Sequence, residues 1–288
     1  MLTPRLCRTT GTAAAAARLC HAALVRRPLL AVLAVVAVLA AGCADSSPGG
    51  ENGAQRGPAT LRVEVLETLP HDEDLFTQGL EIADGVLYEG TGLAGESRLR
   101  ATPLPTPGRV LAEVTLPEPL FGEGVTVVGT RIWQLTWTDG VAIERDRETL
   151  SELRRVRYDG EGWGLCSDGG RLVMSDGTAR LTFRDPASFA RTGSVVVRAG
   201  DTSVPRLNEL ECADGAVWAN VWQSDRIVRI DPSTGNVTGV ADASGLLTTQ
   251  QRARAGVLNG IAAVPGTGEF LITGKNWPTM FRVRFVSA

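Results

Sequence analysis

The chain has 288 residues, 43% of them hydrophobic and 21% charged, enough to bury a core as one large domain or two ordinary ones. A net charge of −3 leaves no electrostatic footprint for nucleic acid. His21 and His71 are the two histidines, too few for a multi-histidine zinc site.

The first element in the chain is a leader. Arg5, Arg8, Arg18, Arg26 and Arg27 precede "PLLAVLAVVAVLAAG", an apolar run from Pro28 to Gly42. Its length fits a signal-peptide core and falls short of the ~20 residues that span a membrane. It ends in "LAAGC", which resembles a bacterial lipoprotein signal with Cys43 as the lipidated first residue of the mature protein. An ordinary secretory signal is the alternative. Residues 43–60 read as a Gly/Ser-rich tether. Export permits a disulfide between the remaining cysteines, Cys166 and Cys212. Spacing does not pair them, and two buried thiols are expected. The expected location is the outer face of a cell membrane, held through the lipid on Cys43.

From Leu61 onward the chain reads as all-β, with short Val/Leu/Ile runs between Gly/Asp-rich turns. Five hairpins align: "TQGLEIADGVLYEGTG" from Thr77, "GEGVTVVGTRIWQLTW" from Gly122, "GWGLCSDGGRLVMSDG" from Gly162, "LNELECADGAVWANVW" from Leu207 and "LNGIAAVPGTGEFLITGK" from Leu258. They start about 40 to 51 residues apart, the period of a four-stranded propeller blade. Further strands follow each hairpin, with Asp185-Pro186 and Asp231-Pro232 marking turns. The fifth unit lacks a strand, which "LRVEVLETL" (Leu61 to Leu69) supplies. The expected fold is one five-bladed β-propeller over 61–288, its ring closed by the N-terminal strand pairing into the C-terminal blade.

The repeat predicts a site. The innermost strands of a propeller line one axis, so equivalent positions converge. Position two of the hairpins holds Gln78, Glu123, Trp163, Asn208 and Asn259; the last position holds Gly92, Trp137, Gly177, Trp222 and Lys275. A hairpin's ends lie side by side, so both sets face one mouth. Aromatic walls with a few polar groups suit a small-ligand pocket. Glu123 is the one carboxyl in either set. Glu161, in the look-alike "GEGW", falls two residues early, ~7 Å along the strand, and reads as turn or rim.

At these residues the chain resembles the plant- and bacterial-type glutaminyl-peptide cyclotransferases. The motifs run in order from Thr68 to Phe285, with "HDEDLFTQGL" and "GESRLR" ahead of them: "FGEGVT", "QLTW", "GEGWGL", "LNELE", "VWANVW", "VLNGIA" and "TGKNWP". The resemblance implies a five-bladed propeller that cyclises N-terminal glutamine to pyroglutamate and releases ammonia. Its substrates would be peptides or proteins with N-terminal Gln. It implies Glu123 as catalytic acid, Gln78, Asn208 and Lys275 as polar substrate-binding residues, and Phe76, Trp137, Trp163 and Trp222 as aromatic walls. Glu73-Asp74 departs from the family pattern in a rim loop, which bears on peptide preference more than on chemistry.

One carboxyl can take the proton of the attacking α-amine and pass it to the leaving nitrogen. Glu123 is the candidate, with its pKa raised by desolvation and opposed by Lys275. Lys275, Asn208 and Gln78 are the candidate oxyanion donors. No metal or organic cofactor is required, and the expected state is a monomer. The alternatives are a non-catalytic tethered propeller that binds peptide N-termini or partners, and a propeller hydrolase, for which the axis is too poor in acidic ligands.

Overall fold

The computed structural model describes residues 57–104 and 109–288. The leader, Cys43 and the tether through residue 56 lie outside the described residues.

Five antiparallel units of four strands follow in chain order. Blade 1 comprises Thr77–Ala83, Val86–Thr91, Arg98–Pro103 and Ala112–Thr115. Blade 2 comprises Gly122–Val128, Arg131–Thr136, Val141–Asp146 and Glu152–Arg157. Blade 3 comprises Leu165–Ser167, Leu172–Ser175, Arg180–Arg184 and Arg191–Val196, and blade 4 comprises Leu207–Ala213, Ala216–Val221, Arg226–Ile230 and Val237–Asp242. Blade 5 takes Leu258–Val264, Glu269–Gly274 and Thr279–Ser287 from the C-terminus and Ala59–Pro70 from the N-terminal side. The borrowed strand pairs antiparallel with the last strand, Leu61 opposite Ser287 and Pro70 opposite Thr279. Its first residues also pair in parallel with the outer strand of blade 4, Ala59 opposite Gly239. The strand begins two residues before the expected Leu61.

The first strand of each blade neighbours the first strand of the next, and that of blade 5 returns to that of blade 1. These inner strands are buried along most of their length, as in Leu207–Ala213, whereas the outer strand Glu152–Arg157 is largely exposed. Side chains on both faces of an inner strand meet neighbouring blades, so hydrophobic alternation fades there. The hairpin turns of blades 1 and 4 place Asp84-Gly85 and Asp214-Gly215 at positive φ, the pair of left-handed residues that a two-residue hairpin loop requires. Blades pack through apolar layers: Trp218, Phe270 and Phe285, for example, interlock between blades 4 and 5 with ring centroids 4.7–5.1 Å apart.

Position three of the five hairpin repeats is Gly79, Gly124, Gly164, Glu209 and Gly260. A Cβ on Gly124 would lie 2.6 Å from the Leu165 nitrogen, so neighbouring backbones touch there. Blade 4 is the exception. The Glu209 carboxylate accepts the amides of Leu80 (3.3 Å) and Ile261 (2.7 Å), tying blade 4 to blades 1 and 5.

The same close approach corrects the expectation of free thiols. Cys166 and Cys212, on the inner strands of blades 3 and 4, form a disulfide with their Cα atoms 5.4 Å apart. They are 46 residues apart in sequence, and only the packing of neighbouring blades joins them.

Candidate active site

At one end of the axis lies a cavity of about 210 Å³, lined by Phe76, Gln78, Phe121, Glu123, Trp137, Trp163, Asn208, Trp222 and Lys275. All eight residues singled out in the sequence for this pocket are present, with Phe121 added. The volume is below the ~300–1,000 Å³ of drug-sized sites, a space for one amino-acid side chain rather than a length of peptide.

A backbone irregularity aims the position-two side chains. In blades 1, 2, 4 and 5 the pairing of inner strand with its neighbour shifts register between Thr77 and Gly79, Gly122 and Val125, Leu207 and Leu210, and Leu258 and Ile261. Gln78, Glu123, Asn208 and Asn259 each fall inside such a bulge. A bulge inserts an extra residue and re-aims its side chain. It also frees backbone amides, which neighbouring blades take up: Gly124 N–H donates to Trp163 O at 2.8 Å, and Gly260 N–H to Asn220 Oδ1 at 2.9 Å. In blade 3 the inner strand starts only at Leu165, leaving Trp163 just ahead of it.

Glu123 is 4% exposed. Gln78 Nε2 donates to its Oε1 at 2.9 Å, and Asn259 Nδ2 supports Gln78 by donating to Gln78 Oε1 (3.2 Å) and Thr77 O (3.0 Å). Asn259 therefore stands behind the pocket wall. Glu123 Oε2 and Asn208 Oδ1 are buried without a hydrogen-bond partner. Burial pushes the Glu123 carboxyl well above its usual range; Lys275 opposes the rise and Glu161 adds to it. Burial also lowers the Lys275 ammonium, which Glu123 partly restores. Lys275 Nζ stands 4.6 Å from the centre of the Phe76 ring, a cation–π contact that holds the charge at the cavity wall.

The aromatic walls interlock edge to face: Phe76 with Phe121 at 6.3 Å, Phe121 with Trp137 at 5.6 Å, and Trp163 with Trp222 at 5.4 Å. Gly177 is the seat of one ring, because a Cβ there would fall 2.6 Å from Trp163. That is why the last hairpin position alternates glycine with tryptophan. Glu161 sits at the rim, as its register predicts, and it is more than a turn residue. Its Oε2 accepts the indole N–H of Trp137 at 2.7 Å and of Trp163 at 2.8 Å.

The one lining residue that the sequence reading lacks, Phe121, stands directly before its hairpin, as Phe76 does in blade 1. That position holds Phe76, Phe121 and Glu161 in the first three blades.

The fold and site define a β-propeller with one desolvated acid in an aromatic pocket. A profile of the family described as glutamine cyclotransferase matches residues 33–285. A glutaminyl-peptide cyclotransferase of Arabidopsis thaliana is 39% identical over 232 residues, 78% of this chain and 72% of the relative. The crystal structure of Myxococcus xanthus glutaminyl cyclase superposes with a TM-score of 0.73 at 40% identity, over 80% of this chain and 99% of that one. This chain belongs to the glutamine cyclotransferase family.

Proposed function

We propose that this chain closes N-terminal glutamine of peptides and proteins to pyroglutamate with release of ammonia, and that Glu123 shuttles the proton. Family membership supports the activity. The observation that carries the role is the pair of buried, unpartnered acceptors, Glu123 Oε2 and Asn208 Oδ1, on two residues that line an aromatic cavity. A buried acceptor without a donor is unfavourable, and the amine of an N-terminal residue brings N–H groups to both.

The substrate α-amine attacks its own γ-carboxamide carbon. Its proton passes to the Glu123 carboxylate as the C–N bond forms. The resulting oxyanion needs a donor, and Lys275 supplies N–H groups and charge at the cavity wall. The Glu123 carboxyl then returns the proton to the amide nitrogen, the C–N bond to that nitrogen breaks, and ammonia leaves. A carboxyl raised by burial well above its usual range is a better proton acceptor than an ordinary carboxylate and can still return the proton. The tryptophans hold the glutamine side chain folded back on its amine, where orientation contributes up to ~7–11 kcal/mol.

Catalysis runs without a metal in this reading: the cavity lining offers one carboxylate, Glu123, and no histidine or cysteine. Ammonia release from a Gln-initiated peptide, assayed with and without a chelator, tests both points. Equal activity is expected; loss in chelator sinks the metal-free reaction, and no release at all sinks the assignment.

Export with a lipid on Cys43 is part of the same proposal. The basic leader and apolar run support it, as does the Cys166–Cys212 disulfide, which suits an oxidising compartment. Fatty-acid labelling that persists in Cys43→Ser would overturn the anchor. A monomeric state is part of the same reading, and light scattering on the purified protein tests it.

A further inference from the structure

We propose that His71, held as a doubly protonated imidazolium, is the positioning residue that fixes both arms of the pocket, and that loss of its proton loosens them at alkaline pH. The inference rests on the reading that Phe76, Gln78 and Lys275 form the substrate pocket.

His71 follows the N-terminal strand of blade 5, and its side chain is only 4% exposed. Both ring nitrogens face acceptors. Nδ1 lies 2.7 Å from the carbonyl oxygen of Trp277, and Nε2 lies 3.0 Å from Glu89 Oε1. A neutral imidazole carries one N–H and leaves the other nitrogen as an acceptor. Here that lone pair would point at a carbonyl or a carboxylate, inside the protein. With Glu89 ionised, two hydrogen bonds therefore require two ring protons.

The two partners belong to different arms. Trp277 is two residues beyond Lys275. The surrounding backbone zips the same strips together: His71 N–H donates to Pro278 O (3.1 Å), and Asn276 N–H to Leu75 O (2.8 Å). Asn276 Nδ2 also donates to Glu73 O at 2.8 Å. Glu89 Oε1 accepts from Thr77 Oγ1 at 2.6 Å, and Thr77 stands between Phe76 and Gln78. One imidazolium thus clamps the Lys275 loop, the Phe76–Gln78 segment and the second strand of blade 1.

Within this cluster the neighbouring charges raise His71 and lower Glu89, so His71 is the group that gives up its charge as pH rises beyond the ordinary histidine range. Burial pulls its pKa down, but Glu89, the Trp277 carbonyl and Asp72 outweigh burial, so it rests above its ordinary 6.5. Glu89 is itself held below its usual range: burial raises it, and His71, Thr77 and Arg100 overcome that. Arg100 binds Asp72 (2.9 Å) and Glu113 (2.6 Å), and stays charged. The sign follows. A raised histidine stabilises fully below 6.5, and its contribution is lost as pH rises through the folded-state pKa. A cleft of about 310 Å³, lined in part by His71, Asp72, Glu89 and Arg100, gives the proton a way out.

The test combines NMR with kinetics. In the full chain labelled with ¹⁵N-histidine, the two histidines are assigned by comparison with His71→Gln. Both His71 ring nitrogens are expected to carry protons at pH 7.5. Its deprotonation should coincide with a rise in KM for a Gln-initiated peptide, with kcat moving less. His71→Gln should show KM raised about tenfold at pH 7.5 and lack that alkaline rise. Glu89→Gln keeps the shape and removes the charge, so the rise should move to lower pH. A role in folding alone would lower the melting temperature without moving the KM profile. A neutral His71 at pH 7.5, or an unchanged KM profile in both variants, overturns the proposal. Lys275→Ala in the same assay tests the pocket assignment separately, since its KM reports on the wall and the NMR reading does not depend on it.

Discussion

Gly122-Glu123-Gly124 and Gly160-Glu161-Gly162 spell the same tripeptide in consecutive blades, and the chain uses them oppositely. Glu123 lies within the bulge of an inner strand, is buried, and has one oxygen without a hydrogen-bond partner. Glu161 lies two residues short of the equivalent place, is exposed, and gives one oxygen to two indole N–H groups. A carboxylate's chemistry follows its solvation and its partners, and two residues of register change both. The second glutamate then serves the first, since it fixes two walls of the pocket and its charge helps raise the Glu123 pKa.

Four changes break or sharpen that contrast. The largest effect is expected from Glu123→Gln, which should lose at least ~10²-fold in kcat while remaining folded. Near wild-type turnover in single-turnover assays would remove Glu123 from the chemistry. Trp222→Ala and Trp137→Ala should come next, raising KM for a Gln-peptide about tenfold or more through lost apolar contact; normal binding by calorimetry would show the walls wrongly placed. Glu161→Ala is expected to raise KM about five- to tenfold by releasing both indoles. It should also move the acidic limb of the kcat profile to lower pH, because a negative neighbour of Glu123 is gone. An unchanged limb would show that the two carboxyls do not communicate.

The smallest effect concerns stability. The Glu123 pKa is raised on folding, so its contribution is present below its ordinary 4.5 and lost as pH rises. Above that range burial of the carboxyl opposes folding, and at pH 8 Glu123→Gln should melt at the same temperature as wild type or higher. A lower melting temperature at pH 8 would mean that the carboxylate stabilises the fold. Glu161→Gln, exposed and still able to accept both indoles, should leave the melting temperature unchanged.

Much of the fold was legible because blade architecture is written locally. Gly85 and Gly215 follow Asp at hairpin turns, apolar runs flank them, and the spacing repeats. The order of strands and the borrowing of Leu61–Leu69 by the last blade followed from counting. The pocket was legible as far as register carries it, and Phe121 was overlooked although it aligns with Phe76. The bulges were only partly readable: "TQGL", "GEGV" and "LNGI" carry a glycine of the kind that marks bulges in strands, but "LNEL" forms one without it.

By itself the sequence determined the repeat, the hairpins and the set of side chains that share the axis, because periodicity and turn chemistry are properties of neighbouring residues. Tertiary structure alone decided which cysteines bond and where His71 sends its protons. His71 meets Trp277 across 206 residues, and Glu209 ties three blades through amides that no local pattern marks. Solvation and pairing depend on atoms brought together from distant parts of the chain. The ring sets them only when it closes.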